Sequence, residues 1–325
     1  MKVEPKLDHK LANLVICGVN KAGSTSLFKY LSDHPEISPS KVKETFFFRS
    51  LMYREPLPSI SEYAEFFDQD ASEKYLMEAD PRYFYGKNSI AFVMKTALPD
   101  NLKVILILRD PVKRFISFYK FKYFNFRPGV DQMSFDDFLE RCFSEYKERK
   151  DEPFVRNDYL YVRALKEGIY VDFIKDWVEV YKDNFFICFF DELKDHPKQL
   201  MSKISRWLEI PDSIYRSYAF SNENKSVPAR HRTIHQLANR LNEQFDYFWL
   251  KNPVLKKKVR GLYYELNKSS TRKVSVSDES IKRLEEFYRE PNQQLRQFLL
   301  EKGISNLPAW LSNKNRTDNN KINTL

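Results

Sequence analysis

The chain has 325 residues, of which 42% are hydrophobic, with 7 glycines, 3 cysteines and a formal net charge of +9. That length supports one large or two ordinary domains around a substantial core, which excludes a disordered chain or a miniprotein, and scarce glycine with no visible repeat period excludes collagen-like and solenoid architectures. Cys17, Cys142 and Cys188 are widely spaced with no CxxC pair, so a disulfide framework and a cysteine-rich zinc site are excluded and a reducing compartment is expected.

Residues 11–17 form a short apolar run closed by Gly18, which suits a buried parallel strand. A loop follows, then a helix carrying Leu27, Phe28, Tyr30 and Leu31, with Ser24 or Thr25 as its cap and Pro35 marking its end. Residues 103–108 read as a second buried strand, and Asp110-Pro111 as the N-cap and first turn of a helix bearing Val112, Phe115, Ile116 and Tyr119. Residues 185–190 read as a third strand. The spacing of Val162, Leu165, Ile169, Phe173, Trp177 and Val180 predicts one amphipathic helix before it, and Leu200, Ile204, Trp207 and Leu208 another after it.

Strands alternating with helices imply an α/β fold, a P-loop-like parallel sheet flanked by helices on both faces. No composition shift divides the chain, so a single domain is expected over residues 11–311, with a mainly helical excursion around 121–180 and a polar tail at 312–325. The first residues carry scattered charges without the apolar region of a signal peptide, and no apolar run approaches the about 20 residues that span a bilayer. A soluble, cytoplasmic protein is the expectation.

Two segments carry the chemistry. Gly18-Val19-Asn20-Lys21-Ala22-Gly23-Ser24-Thr25-Ser26 lies at a strand end and opens a helix, where backbone N–H groups and the helix dipole face an anion. A nucleoside triphosphate loop would place lysine directly after the second glycine; Ser24 stands there instead, and the lysine is Lys21. Arg109-Asp110-Pro111-Val112-Lys113-Arg114-Phe115-Ile116-Ser117 lies at a second strand's C-terminal end, with Arg109 a forked phosphate donor and Ser117 on one helical face with Lys113 and Arg114. Arg109 paired with a carboxylate, beside a solvated basic helix face, is the competing reading.

On this ordered pair the chain resembles the sulfotransferases that use 3'-phosphoadenosine 5'-phosphosulfate (PAPS), especially the carbohydrate branch related to heparan sulfate sulfotransferases. The first segment is similar to the family's 5'-phosphosulfate loop, KxGTT or KxGST, and the second to its 3'-phosphate motif, RxPxxRxxS. The resemblance implies that Lys21, Ala22, Gly23, Ser24, Thr25 and Ser26 hold the 5' end and Arg109 and Ser117 the 3'-phosphate. Lys43-Glu44-Thr45-Phe46-Phe47-Phe48 resembles the family's KEPHFF, with Thr45 and Phe46 replacing Pro and His, and the resemblance implies Glu44 as the catalytic base. Alone, that segment reads as a surface Lys and Glu before an apolar strand.

Glu78-Ala79-Asp80-Pro81-Arg82-Tyr83-Phe84 resembles EKSPSYF, but Ala79 stands where the heparan enzymes carry a lysine that helps position base and acceptor. That job is unfilled or falls to Lys43 or Arg82, the candidate acceptor-binding residues. Asn224-Lys225-Ser226-Val227-Pro228-Ala229-Arg230 resembles the late basic loop over the cofactor, making Lys225 and Arg230 candidate phosphate contacts. Residues 287–295 and Pro308-Ala309-Trp310 resemble FYRPxNQxL and a closing PW, with a structural role, so the resemblance runs from about Leu14 to Trp310.

The implied reaction moves a sulfuryl group from PAPS to an acceptor hydroxyl, of a carbohydrate that can itself be anionic, with Glu44 as general base and Lys21 stabilising the leaving 3'-phosphoadenosine 5'-phosphate (PAP). No metal, nucleic acid or membrane span is expected; His231 and His235, four apart, suit a basic loop entering a helix better than a zinc site. The alternatives are a P-loop phosphotransferase using ATP and Mg²⁺, and a non-catalytic basic module binding glycan or nucleic acid through stretches such as residues 256–260.

Overall fold

The computed structural model describes residues 9–152, 159–221 and 274–312, with three isolated positions at 255, 259 and 261. Lys225, Arg230, His231 and His235 lie outside the described residues, as do the basic stretch at 256–260 apart from Val259 and the tail beyond residue 312.

The predicted strands appear as β1 (Leu14–Gly18), β4 (Lys103–Leu108) and β5 (Phe185–Phe189). Two further strands complete the sheet: β2 (Ile37–Pro39) and β3 (Tyr75–Ala79). Neither has a local signature, since β2 is three residues long and ends in proline, while β3 carries Glu78 within its buried run. The order is β2-β3-β1-β4-β5 with every neighbouring pair parallel. From β1 the chain moves outward to β2, returns through β3 and then crosses to β4. Winding therefore reverses between β1 and β4, and in open parallel sheets the crevice outside the strand ends at that point is where ligands bind.

All residues of β1 and β3 are buried, which requires cover on both faces. The helices supply it: α1 (Ser24–Ser32), α2 (Ile60–Ala64), α3 (Lys87–Ala97), α4 (Pro111–Phe124), α5 (Phe135–Arg149), α6 (Leu160–Lys166), α7 (Val171–Tyr181), α8 (Phe190–Asp195), α9 (Pro197–Leu208) and α10 (Asp278–Glu301). Asp110 caps α4, its Oδ1 accepting from the Val112 and Lys113 amides at 2.9 and 3.3 Å, with Pro111 in the first turn. The cap of α1 differs from expectation. It is Gly23 in the left-handed region at φ +89°, and Ser24 is already helical.

The single helix expected across residues 162–180 is two, α6 and α7. Between them, Gly168 lets Tyr288 of α10 approach so closely that a Cβ there would lie 2.7 Å from the phenol ring, and the Tyr288 hydroxyl donates to the Leu165 carbonyl at 2.9 Å. Tyr288, Leu295 and Leu299 are buried, which seats α10 against the core in the structural role its sequence suggested. The segment after Glu44 is also not a strand. Phe47–Tyr53 is a 3₁₀-helix whose Phe47 and Phe48 rings pack on the buried Tyr63. Cys17, Cys142 and Cys188 are buried and free, and among the described residues no helix is long and apolar enough to cross a membrane.

Candidate active site at the β1 and β4 strand ends

The loop after β1 is fastened to the sheet by the Val19 amide, which donates to the Ile107 carbonyl at 2.9 Å. It tightens through the Ala22 amide on the Val19 carbonyl, so buried Ala22 serves the turn. Gly23 sits against α8, and a Cβ there would meet Leu193 and Phe190 side-chain carbons at 2.9 Å. Among the described residues no side chain caps the start of α1, so its first amides, at Ser24, Thr25 and Ser26, face the crevice end with the positive end of the helix dipole. Ser24 and Ser26 are buried there and Thr25 is partly buried.

Lys21 has its Nζ 4.1 Å from the centre of the Phe121 ring. Burial, and then the like charges of Arg109 and Lys43, pull its pKa down to about 8 against the opposing pull of Glu44. Cations crowded this way favour an arriving anion. Arg109, just past β4, reaches across to the loop, its Nη1 donating to the Lys21 carbonyl at 2.8 Å while its guanidinium lies 4.4 Å from the Phe190 ring centre. Its own carbonyl accepts from the Tyr170 hydroxyl at 2.7 Å, and its buried Nε has no hydrogen bond among the described residues.

Ser117 lies partly buried on α4, but the face it was expected to share with Lys113 and Arg114 divides. Lys113 is exposed, whereas Arg114 turns fully into the core, where it meets Glu167 and donates to the Ala164 carbonyl. Arg114 is thus neither an anion contact nor part of a solvated face. Lys120, one turn beyond Ser117, has its pKa lowered by burial and by Arg109, which identifies a nearby cation that the motif does not contain.

Glu44 is brought to this crevice by β3. The Ser40 amide donates to the Met77 carbonyl at 2.7 Å and the Ala79 amide to the Lys43 carbonyl at 3.2 Å, so the Lys43-Glu44 segment runs beside the strand end. Lys43 Nζ stands 3.4 Å from both Ser24 Oγ and Glu44 Oε1, linking the start of α1 to the carboxylate. Burial opposes ionising Glu44, but Lys43, Arg49 and Arg82 together hold its pKa below the usual carboxylate range. Arg82 is partly buried, its backbone amide donating to Asp80 Oδ1 at 3.0 Å. Thr45 points away from the crevice, its hydroxyl donating to buried Glu78 Oε2 at 2.7 Å.

The candidate site residue missed in the sequence is Arg49. Its Nη2 donates to Glu44 Oε2 at 2.7 Å, and its Nε lies 2.6 Å from Asp80 Oδ2. Lys43 does touch Glu44, whereas Arg82 reaches it only through its field, so Arg49 must be added to the two candidates for the role left open by Ala79. No local pattern marks it, because it follows a phenylalanine run and its partner Asp80 is 31 residues away.

An uncapped helix start, a glycine cradle that a Cβ would fill and the unpartnered Arg109 Nε fit an anion at each of two adjacent strand ends, with a carboxylate beside the first. Comparison with known proteins gives the fold and the family. The crystal structure of a sulfotransferase from Alicyclobacillus acidocaldarius superposes with a TM-score of 0.62 at 18% identity, covering 93% of this chain and 100% of that one, a likeness of fold. The membrane-associated sulfotransferase kil1 of Dictyostelium discoideum is 37% identical over 114 residues, 34% of this chain and 23% of the relative. The bifunctional heparan sulfate N-deacetylase/N-sulfotransferase 1 of Homo sapiens is 25% identical over 313 residues, 93% of this chain and 31% of the relative. This chain therefore spans about a quarter to a third of the length of these curated relatives. A family model described as "Sulfotransferase domain" matches residues 11–298, from β1 through the site and most of α10, and the chain belongs to that family.

Proposed function

We propose that the protein transfers a sulfuryl group from PAPS to a hydroxyl of a carbohydrate acceptor. The observation that carries this reading is the position of Lys43 Nζ, 3.4 Å from Ser24 Oγ and from Glu44 Oε1, which sets an anion-binding helix start facing an ionised carboxylate. Lys21, Gly23, Ser24, Thr25 and Ser26 are the residues that would hold the 5' end of the nucleotide, with Ala22 shaping the turn; Arg109 and Ser117 would hold the 3'-phosphate. Lys225 and Arg230 stay candidates from the sequence alone.

PAPS supplies an activated sulfuryl group. Glu44 accepts the proton of the acceptor hydroxyl as that oxygen forms its bond to sulfur, a role that needs the carboxylate ionised, as Lys43, Arg49 and Arg82 keep it. Lys21 and the first amides of α1 receive the negative charge that departs with the 5'-phosphate of PAP, in a buried setting where such contacts are worth more than in water. The carbohydrate class is supported by the heparan sulfate relatives, and Lys43, which touches Glu44, and Arg82, which acts on it through its field, are the candidates to meet such an acceptor.

The test combines binding and turnover. PAP, ATP with Mg²⁺, and heparin are compared as stabilisers in thermal unfolding, and radiolabelled donor is offered with glycans bearing hydroxyl groups, glycans bearing free amines, phenols and lipids. Stabilisation by PAP, label on a glycan hydroxyl and a fall of roughly a hundredfold or more in turnover for Glu44→Ala with PAP binding kept are expected. Stabilisation by ATP alone, or Glu44→Ala at wild-type turnover, would overturn the reading.

A further inference from the structure

Arg49 is held more firmly than the carboxylate it touches. Its Nη2 donates both to Asp80 Oδ1 and to Glu44 Oε2, each at 2.7 Å, and its Nε lies 2.6 Å from Asp80 Oδ2 as an ion pair without hydrogen-bond geometry. Asp80 is fully buried and Arg49 has only 7% of its side chain exposed, while Glu44 keeps 36%. Asp80 is in turn fixed to the sheet, its amide donating to the Ile16 carbonyl of β1 at 3.1 Å and its Oδ1 also accepting from the Arg82 amide. The exposed Phe46 ring covers the guanidinium from the outside, 4.0 Å from Cζ to the ring centre. A buried arginine already ion-paired and hydrogen-bonded to a buried carboxylate loses little further freedom in making one more bond.

We infer that Arg49, anchored on Asp80, is the positioning residue of Glu44: it pins Oε2 against the β3 end and leaves Oε1, beside Lys43, as the oxygen presented to the acceptor. This inference rests on the reading of Glu44 as the base. A half-exposed glutamate left to itself samples several rotamers, and only some point an oxygen at the crevice. Fixing one oxygen from a buried anchor removes that freedom before the acceptor arrives, which is the ordering that general-base catalysis needs. The groups that set the charge of Glu44 are Lys43, Arg49 and Arg82, with Asp80 opposing and Lys21 across the crevice. Removing Arg49 takes away the one cation among the described residues that is hydrogen-bonded to Oε2, so the base should protonate at higher pH.

The test uses the full chain with R49K, R49L, R49L/D80N and E44Q, reading kcat, KM for the donor, PAP binding and the pH profile of kcat. R49L is expected to lower kcat about tenfold to a hundredfold with PAP binding unchanged and to move the acidic limb upward by about one pH unit, while R49K restores the limb and most of kcat. R49L leaves Asp80 buried without its partner; if that variant does not fold, R49L/D80N removes both charges, whose fields on Glu44 oppose, and is expected to show the lowered kcat with PAP binding unchanged and a smaller shift of the limb. Wild-type kcat in either folded variant, or a lowered kcat in R49L with an unmoved limb and no recovery in R49K, would overturn the inference. If E44Q is inactive while those results hold, the base reading survives and only the positioning role falls; if E44Q is fully active, the base reading itself fails.

Discussion

Replacing Gly23 with alanine should damage stability and nucleotide binding together, and the structure gives the size of each contribution. Gly23 has φ +89°, so an L-residue there takes on left-handed strain of about 1–2 kcal/mol. Its Cβ would also sit 2.9 Å from both Leu193 Cδ2 and Phe190 Cδ2, and relieving that overlap in a packed site costs a further ~1–3 kcal/mol. Gly303 supplies the control, since it has φ +79° with no atom of the described residues within 4 Å of its Cβ, so Gly303→Ala carries the strain without the clash. With an unfolding entropy of roughly 0.7 kcal/mol/K for a chain of this length, Gly23→Ala should lower Tm by about 3–7 °C and Gly303→Ala by about 1–3 °C. The clash pushes on Phe190, the ring that stacks on Arg109, so PAP affinity should fall by about tenfold in Gly23→Ala and not at all in Gly303→Ala. Thermal unfolding and isothermal titration with PAP measure both quantities. Equal Tm shifts in the two variants, with unchanged PAP affinity, would refute the packing argument and the placement of Gly23 at the anion site.

Arg109→Ala should weaken binding of PAP by about tenfold to a hundredfold and of adenosine 5'-monophosphate by much less, the residual loss coming from the Lys21 carbonyl that Arg109 holds; equal losses in titration would make Arg109 purely structural. PAP binding near pH 8 should take up protons, because Lys21 sits at about 8 in the free protein and an arriving phosphate raises it; calorimetry in buffers of different ionisation enthalpy reads the uptake, and the same uptake in Lys21→Met would exclude Lys21 as its source. Glu78 is fully buried and burial pushes its carboxyl up to about 8, so the folded state holds a proton that the unfolded state releases above about 4.3. Its contribution to stability therefore declines as pH rises from about 4.3 to about 8 and is level outside that window. Tm measured across this range should fall more steeply for wild type than for Glu78→Gln, and parallel curves would contradict the assignment.

Local chemistry is what made much of this molecule readable. An apolar run closed by glycine and followed by a helical stripe defines β1, the loop and α1 without reference to anything distant, and Asp110-Pro111 sets the start of α4 by hydrogen bonds two and three residues away. The phosphate-type loop and Arg109 are legible for the same reason, since each is a short segment whose chemistry resides in neighbouring residues, whereas Lys43-Glu44 read alone is a surface pair and only its resemblance to KEPHFF singles it out. What sequence order cannot express is which of those segments meet. Glu44 faces Ser24 only because β3 lies beside β1 and its end carries the Lys43 carbonyl, a pairing set by the whole sheet.

The same holds for the contacts that went unforeseen. Arg49 reads as a charge after three phenylalanines, and becomes the grip on Glu44 once a 3₁₀-helix swings it over Asp80. Arg114 reads as part of a basic helix face, but the turn at Gly168 brings Glu167 beneath it, and an unpaired charge there would be far less stable than the pair. Sequence by itself determined three of the sheet's five strands, the helices beside them and the kinds of chemistry available, because hydrophobic period, capping and short motifs act over a few residues. Tertiary structure alone decided which charges are paired, buried and aimed, because desolvation and hydrogen-bond geometry depend on neighbours that the chain brings in from 31 to 88 residues away.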